Sequence, residues 1–243
     1  MGKIDELREI LKDSDNIVFF GGAGVSTESN IPDFRSASGL YNTKSGVGKT
    51  PEYMLSHTCL VRDTEDFYNY YRENILHPEA KPNRAHEALA KLEEMGKLKA
   101  VITQNIDGLH QLAGSKNVME LHGSVLKNYC AKCGKKYDVH FIYDSEGIPT
   151  CECGGLVRPD VVLYEEALNN KAMSDAVAYI EGADTLIIGG TSLVVYPAAG
   201  LVRYFRGKNL ILINKSQTSY DRMATLAFNE SIGDVLSEAV IGI

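Results

Sequence analysis

A chain of 243 residues, 44% apolar and 23% charged and without low-complexity tracts, can bury a sizeable core and has the make-up of an ordinary globular protein, which excludes the disordered and fibrous classes. A formal charge of −7 argues against binding to a phosphate backbone, and no run approaches the roughly 18 apolar residues of a membrane span, so neither nucleic acid nor membrane is an expected partner. The amino-terminal stretch lacks the apolar core of an export signal and the hydroxyl residue of a myristoylation pattern, so a cytoplasmic protein is expected.

Ile4, Leu7, Ile10 and Leu11 recur at helical spacing over residues 3–12, and Asp13-Ser14-Asp15-Asn16 ends that helix. Ile17-Val18-Phe19-Phe20 is short, β-branched and aromatic, as expected of a strand buried on both faces, and Gly21-Gly22-Ala23-Gly24 closes it. The same grammar returns in a helix at 83–95, strands at 99–103 and 118–121, a helix at 170–181, a strand at 185–188, a helix at 197–205 and a strand at 210–213. Alternating strands and helices predict an α/β fold with a parallel, doubly wound sheet, built from residues 1–35, 81–127 and 159–243. Two segments interrupt it and together predict a smaller lobe. Residues 36–80 are polar, Tyr-rich and helical in outline, with Phe67, Tyr70 and Tyr71 as packing residues; residues 128–158 hold four of the five cysteines.

Cys130-x-x-Cys133 and Cys151-x-Cys153 stand 17 residues apart, each pair in a Gly-bearing turn. Two such turns aim four thiolates at one point, the arrangement of a tetrahedral Zn²⁺ ribbon, and four sulfurs leave no open position, so the metal is expected to be structural. Two disulfides are the other arrangement; they suit an oxidising compartment, not the one expected here. Cys59 lies far from these four and is expected to be a buried small hydrophobe.

Gly22-x-Gly24 after a strand is two-thirds of a dinucleotide fingerprint, with Thr27 in place of the third glycine. A plain strand-to-helix turn has the same residues, so the loop alone does not separate the two. Further small or polar residues gather at the ends of later strands: Gln104-Asn105-Ile106-Asp107, Gly190-Thr191-Ser192 and Asn214, where an open α/β sheet binds its ligand.

The strings GAGVSTESNIPDFRS (Gly22 to Ser36), TQNIDGLH (Thr103 to His110), ELHGS (Glu120 to Ser124) and GTSLVVYPA (Gly190 to Ala198), with the four cysteines, closely resemble the sirtuin family over nearly the whole chain and in the same order. The resemblance implies a Rossmann-type large lobe, a small lobe made of the helical segment and the zinc ribbon, and a cleft between them for NAD⁺ and an acyl-lysine peptide. It implies NAD-dependent protein lysine deacetylation, with nicotinamide and O-acetyl-ADP-ribose as products, acetylated lysine proteins as partners, nicotinamide as product inhibitor, and a monomer.

Carried over by residue, the resemblance sets Gly22, Ala23, Gly24 and Thr27 beside the pyrophosphate and the nicotinamide ribose, and Phe34 and Arg35 in a covering loop. Gln104, Asn105, Ile106 and Asp107 form the floor of the nicotinamide pocket, while Gly190, Thr191, Ser192, Asn214 and Ile232 form the adenosine side. His122 is the general base, with Asn105 and Asp107 completing the catalytic set; imidazole, with an ordinary pKa of about 6.5, suits that role. The peptide pairs by its backbone with Val162, Leu163 and Tyr164 on one side and Leu193, Val194 and Val195 on the other.

Three positions depart from the family pattern: Gly21 stands for Thr, Asn30 for Gly, and Glu165 for Gly. Asn tolerates left-handed backbone angles, so the loop at 30 is expected to form. Relatives that prefer succinyl-lysine carry Tyr and Arg three residues apart. Here Tyr68 is followed at that spacing by Tyr71, and Arg72, about 100° further round a helix, is expected to point elsewhere, which favours acetyl over succinyl. Protein ADP-ribosylation in the same cleft and a non-catalytic NAD sensor or zinc-ribbon adaptor are the readings left open. Hydride transfer is disfavoured, because no substrate-oxidising domain follows the first sheet half.

Overall fold

The computed structural model describes residues 2–36, 39–42 and 48–243; residues 37, 38 and 43–47 of the helical insertion lie outside the described residues. Helix α1 (Lys3–Asp13) turns Leu7 and Leu11 into the core and hands over to β1 (Ile17–Gly21), every residue of which is buried. Strict alternation along β1 sends Ile17 and Phe19 to one face of the sheet and Val18 and Phe20 to the other. Each such side chain contributes about 1.5–3 kcal/mol by leaving water. The strand therefore stabilises both layers at once.

The insertion contributes three short helices, α2 (Pro51–Met54), α3 (His57–Arg62) and α4 (Thr64–Asn74). The chain then re-enters the large layer through α5 (Arg84–Glu94), β2 (Leu98–Thr103), α6 (Leu109–Leu112) and β3 (Val118–Glu120). Next come β4 (Gly123–Cys130), β5 (Lys136–Tyr137), α7 (Val139–Tyr143) and β6 (Val157–Val161). Last are α8 (Asn170–Gly182), β7 (Thr185–Gly189), β8 (Asn209–Ile213), β9 (Leu226–Phe228) and α9 (Ile232–Val240).

Six parallel strands stand in the order β3-β2-β1-β7-β8-β9. The chain runs outward from β1 in one direction, then starts again at β7 and runs outward in the other, so the strand order reverses between β1 and β7. Such a reversal leaves a crevice at the carboxyl ends of those two strands. Helices α1, α5 and α9 cover one face, and α8 with the segment after β7 covers the other. This is the expected doubly wound α/β fold with its Rossmann-type strand order.

A second sheet, β5-β4-β6, is antiparallel and carries the cysteines. Its core is a separate apolar cluster that also takes in Met54, Leu60, Phe67, Tyr68 and Tyr71 from the helical insertion. The two interruptions of the sequence thus pack on each other as the smaller lobe.

One predicted element differs in kind. The helix expected at 197–205 is a 3₁₀ helix, Ala198–Tyr204. Gly200 N–H donates to Pro197 O and Phe205 N–H to Val202 O, the i→i+3 spacing of that tighter helix, and Gly200 lowers the helical preference of its middle. Gly21 also has a local reason: a Cβ there would lie 2.5 Å from Cε1 of Phe19, whose ring fills that space. Asn30 is left-handed (φ 62°), as its side chain allows. No helix among the described residues is long and apolar enough to cross a membrane.

Candidate active site

A cleft of about 750 Å³ opens at the β1/β7 reversal, between the parallel sheet and the smaller lobe. Its first wall is the turn after β1, where the chain makes two short 3₁₀ turns, Ala23–Val25 and Thr27–Ser29. Gly24 N–H donates to the Gly190 carbonyl (2.8 Å), and a Cβ on Gly24 would come within 2.7 Å of Gly190 Cα. Gly190 is equally constrained from its own side, since its Cβ would meet Val25 N at 2.3 Å. Two loops from adjacent strands therefore touch backbone to backbone, which requires glycine in both. The Asn83 side chain, at the start of α5, braces the turn by donating to Val25 O and Ser29 Oγ. Glu28 ties it to the start of α9 through Ser231 Oγ and Gly233 N.

The floor is laced across the strand ends. Gln104 donates its backbone N–H to Gly21 O (3.0 Å) and its side-chain amide to Thr191 Oγ1 (3.1 Å), while Thr191 N–H donates to Asn214 Oδ1 (2.8 Å). Asn105 Nδ2 donates to Ser26 Oγ (3.0 Å), whose hydroxyl donates to Asp107 Oδ2 (2.7 Å); the other Asp107 oxygen accepts from Leu109 N (2.9 Å). Ser26 thus links the glycine turn to the tetrad at 104–107, with each donor matched to an acceptor.

His122 follows β3. Its Nδ1 lies 2.9 Å from Gln104 O, and a carbonyl can only accept, so Nδ1 carries the hydrogen and Nε2 keeps a lone pair. Burial pushes the imidazole pKa below its ordinary value, and the Gln104 contact only partly opposes this. The neutral, basic form is therefore favoured near pH 7. The His122 carbonyl in turn accepts from Val162 N–H (2.8 Å).

Val162, Leu163 and Tyr164 line the opposite wall, but their N–H groups are already engaged by His122 O, Glu166 Oε2 and Leu55 O. Backbone pairing to a bound strand is thus more restricted here than the sequence implied. Tyr164 Oη also meets Tyr41 Oη at 2.8 Å, which draws the segment bearing Phe34 and Arg35 across the cleft mouth. The Glu165 carboxylate is held beside α3, where its Oε2 accepts from both N and Oγ1 of Thr58.

Of the residues expected at the site, Gly22, Ala23, Gly24, Thr27, Phe34, Arg35, the 104–107 tetrad, His122, Val162 to Tyr164, Gly190 to Ser192, Val195, Asn214 and Ile232 all line the cleft. Leu193 is packed into the apolar layer below, and Val194 stands out into solvent. Sequence reasoning missed Tyr71, Asn74 and the run Lys215 to Thr218. The last of these follows β8 directly, so the strand-end rule that found Asn214 reaches it as well.

The four sulfurs of Cys130, Cys133, Cys151 and Cys153 lie within 4.8 Å of one another, with Cys130–Cys153 at 3.5 Å and Cys133–Cys151 at 3.7 Å. Ligands at about 2.3 Å from a tetrahedral Zn²⁺ require sulfurs a little under 4 Å apart, which this cluster supplies. Backbone N–H groups of Lys132 and Cys133 point at Cys130 Sγ, and the Tyr137 hydroxyl donates to Cys151 Sγ. A Cβ on Gly155 would intrude to 2.7 Å from Cys130 Sγ, so the turn after the second pair is shaped around the sulfurs. Cys59 is fully buried and its thiol pKa is raised by burial, as expected of a packing residue.

The cleft also fits a dinucleotide. Its volume is that of a small-molecule site, its glycine turn presents backbone at a strand end, and Asn214 Nδ2 is buried without a partner among the described residues. Comparison with known proteins agrees. A family model described as the Sir2 family matches residues 22–197. An NAD-dependent protein deacetylase of Clostridium perfringens (strain 13 / Type A) is 63% identical over 98% of this chain and 98% of its own. Among solved structures, a Sir2 with deacetylated p53 peptide and 3′-O-acetyl-ADP-ribose superposes with a TM-score of 0.89 at 40% identity, covering 99% of this chain and 98% of its own. A Sir2–p53 peptide–NAD⁺ structure superposes with a TM-score of 0.85 at 40% identity, covering 100% of this chain and 98% of the other.

Proposed function

The chain belongs to the Sir2 family, and from that footing we propose how its own residues carry out the family's reaction. It is an NAD-dependent protein deacetylase: acetyl passes from lysine to ADP-ribose, with release of nicotinamide and O-acetyl-ADP-ribose. NAD⁺ is its co-substrate, and Zn²⁺ is held by Cys130, Cys133, Cys151 and Cys153.

The assignment of roles rests on one observation, the His122 imidazole fixed by Gln104 O with its Nε2 lone pair left basic. His122 takes the proton of a ribose hydroxyl as that oxygen attacks the acetyl-derived carbon. The Ser26–Asn105–Asp107 network orients the nicotinamide end: the Asp107 carboxylate and Ile106 N–H hold the carboxamide, and Asn105 with Ser26 fixes the floor beneath it. Gly22, Ala23, Gly24 and Thr27 cradle the pyrophosphate and the nicotinamide ribose, Gln104 completes the nicotinamide floor, Gly190, Thr191, Ser192, Asn214 and Ile232 form the adenosine side, and Phe34 and Arg35 close over the cofactor. Bound NAD⁺ supplies the electrophilic anomeric carbon and the acetyl amide oxygen attacks it, a step that depends on positioning and exclusion of water.

The large lobe is assigned to residues 1–35, 81–127 and 159–243, and the small lobe to residues 36–80 and 128–158. The substrates are acetyl-lysine proteins, held between Val162 to Tyr164 and Leu193 to Val195, with nicotinamide inhibiting as a product. The protein acts as a monomer in the cytoplasm. Acetyl is preferred to succinyl, because Arg72 bonds to Ile142 O and Ser145 Oγ rather than facing the cleft. A peptide assay tests this reading. Lysine deacetylation should require NAD⁺, and His122→Ala should lower kcat/KM by about 10²–10⁴-fold. Turnover without NAD⁺, or full activity in the variant, would refute it.

A further inference from the structure

Asn83 lies behind the cleft and not on its wall, yet both polar atoms of its side chain are engaged at or beside the glycine turn. Its Oδ1 accepts from Ala85 N–H (2.9 Å) as the cap of α5, which fixes the amide so that Nδ2 faces the turn. The two hydrogens of Nδ2 go to Val25 O (2.8 Å) and Ser29 Oγ (2.9 Å). These residues flank Ser26, Thr27 and Glu28, so one amide grips the turn on both sides of Ser26. The backbone of Asn83 is held as well: its N–H donates to His86 Nδ1 (3.2 Å), and the buried His86 ring meets the His110 ring edge to face (4.7 Å between centroids, 62°). Burial lowers the His86 pKa to about 4, so Nδ1 stays an acceptor near neutral pH. His110 lies in α6, whose first amide, Leu109 N–H, is held by Asp107. The turn and the tetrad at 104–107 are thus joined twice, by Ser26 within the cleft and through Asn83, His86 and His110 behind it.

We propose that Asn83 is a positioning residue for nicotinamide release: it sets Ser26 against Asp107 and Asn105, and so keeps the carboxamide floor in register with the ribose cradle. The inference rests on the deacetylase reading above and concerns a residue that touches neither substrate. Ser26 Oγ meets Asp107 Oδ2 at 2.7 Å and Asn105 Nδ2 at 3.0 Å at once, and such bonds weaken steeply as they bend. The other anchors of the turn, Gly24 on Gly190 and Glu28 on the start of α9, tie it to the adenosine side. Asn83 ties it instead to α5, the helix that leads into β2 and the tetrad. Neither Asp nor Ser can stand in for the amide. Each caps a helix about as well as Asn, but a carboxylate has no hydrogen to give and a hydroxyl has one.

Asn83→Asp and Asn83→Ser therefore keep the cap of α5 and lose the double grip, and the uncharged Ser variant separates that loss from an effect of charge. Hydrogen exchange in the unliganded variants should rise by about fivefold or more over residues 25–31 and stay unchanged in α5. With saturating NAD⁺ and acetyl-lysine peptide, nicotinamide release should slow by about tenfold or more. Affinity for ADP-ribose, which lacks the carboxamide, should stay within about twofold of wild type, because the anchors at Gly24 and Glu28 remain. In a Ser26→Ala background the same substitutions should slow release by less than about twofold, since the contact they set is already gone. Unchanged exchange, unslowed release, an equal loss of ADP-ribose affinity, or full additivity with Ser26→Ala would overturn the proposal. If wild type releases nicotinamide and the Asn83 variants match it, only this inference falls; if wild type releases none with NAD⁺ and acetyl-lysine peptide, the deacetylase reading fails and takes this one with it.

Discussion

The two lobes reach order by different means. The parallel sheet buries both its faces under helices, with Phe19, Val101, Ile187 and Ile211 on one side and Phe20, Ile102, Ile188 and Leu212 on the other. The smaller lobe has one apolar cluster, a sheet whose outer strand is only two residues long, and four sulfurs that the metal draws together. A sheet buried on two faces needs no cross-link; a three-stranded ribbon does. The difference bears on the cleft: its floor is part of a stable core, while the wall opposite depends on a bound ion.

Removing that ion should have the largest effect. Structural Zn²⁺ contributes about 10–16 kcal/mol of binding free energy in small zinc domains, which is folding free energy for the ribbon. A strong chelator, or Cys133→Ser, should abolish deacetylation while circular dichroism retains most of the helical signal of the large lobe. Loss of the two together would show that the lobes are not separable.

Acid should then weaken the large lobe through two buried imidazoles. Burial lowers His86 to about 4 and His110 to about 3, against an ordinary value near 6.5. Both stay neutral in the folded protein, so below about pH 6.5 the unfolded chain binds more protons and stability falls as pH falls, by up to ~1.4 kcal/mol per pH unit for each ring. Denaturant unfolding followed between pH 7 and 5 should show this slope, and His110→Gln should reduce it by about one proton's share. Equal slopes in the two proteins would contradict the assignment.

Smaller effects probe the packing of each lobe in turn. Gly21→Thr should cost about 1–3 kcal/mol by forcing the Phe19 ring aside, and Phe19→Val in the same chain should recover part of it, as a double-mutant cycle would reveal. In the small lobe, Arg72→Ala removes charge-assisted bonds to Ile142 O and Ser145 Oγ and should cost about 1–2 kcal/mol, lowering the Tm seen before chelation but not after it. An effect of equal size in the zinc-free protein would place Arg72 in the stability of the large lobe instead.

How much of this was legible in the sequence follows the same division. Buried parallel strands announce themselves as short apolar runs, closed by glycine in β1 and β7, so β1, β2, β7 and β8 were readable to within a residue or so at either end. Strand β9 is three residues long and α9 begins at Ile232 directly behind it, too short a run to separate from its surroundings by periodicity. Strands β4 and β6 were hidden for another reason: their order comes from pairing with each other across some thirty residues and from the cysteines, not from a local pattern. At the site, polar residues at strand ends could be found by rule. Tyr71 stands at the Arg position of succinyl-preferring relatives, but as a buried ring on an amphipathic helix it reads as core and not as cleft wall.

His122 is fastened twice, by its ring to the carbonyl of Gln104 on the sheet side and by its own carbonyl to the amide of Val162 on the other. A residue held by both its ring and its main chain cannot turn its imidazole without breaking a contact. The proton acceptor is therefore preset, with little left to reorganise when the proton moves.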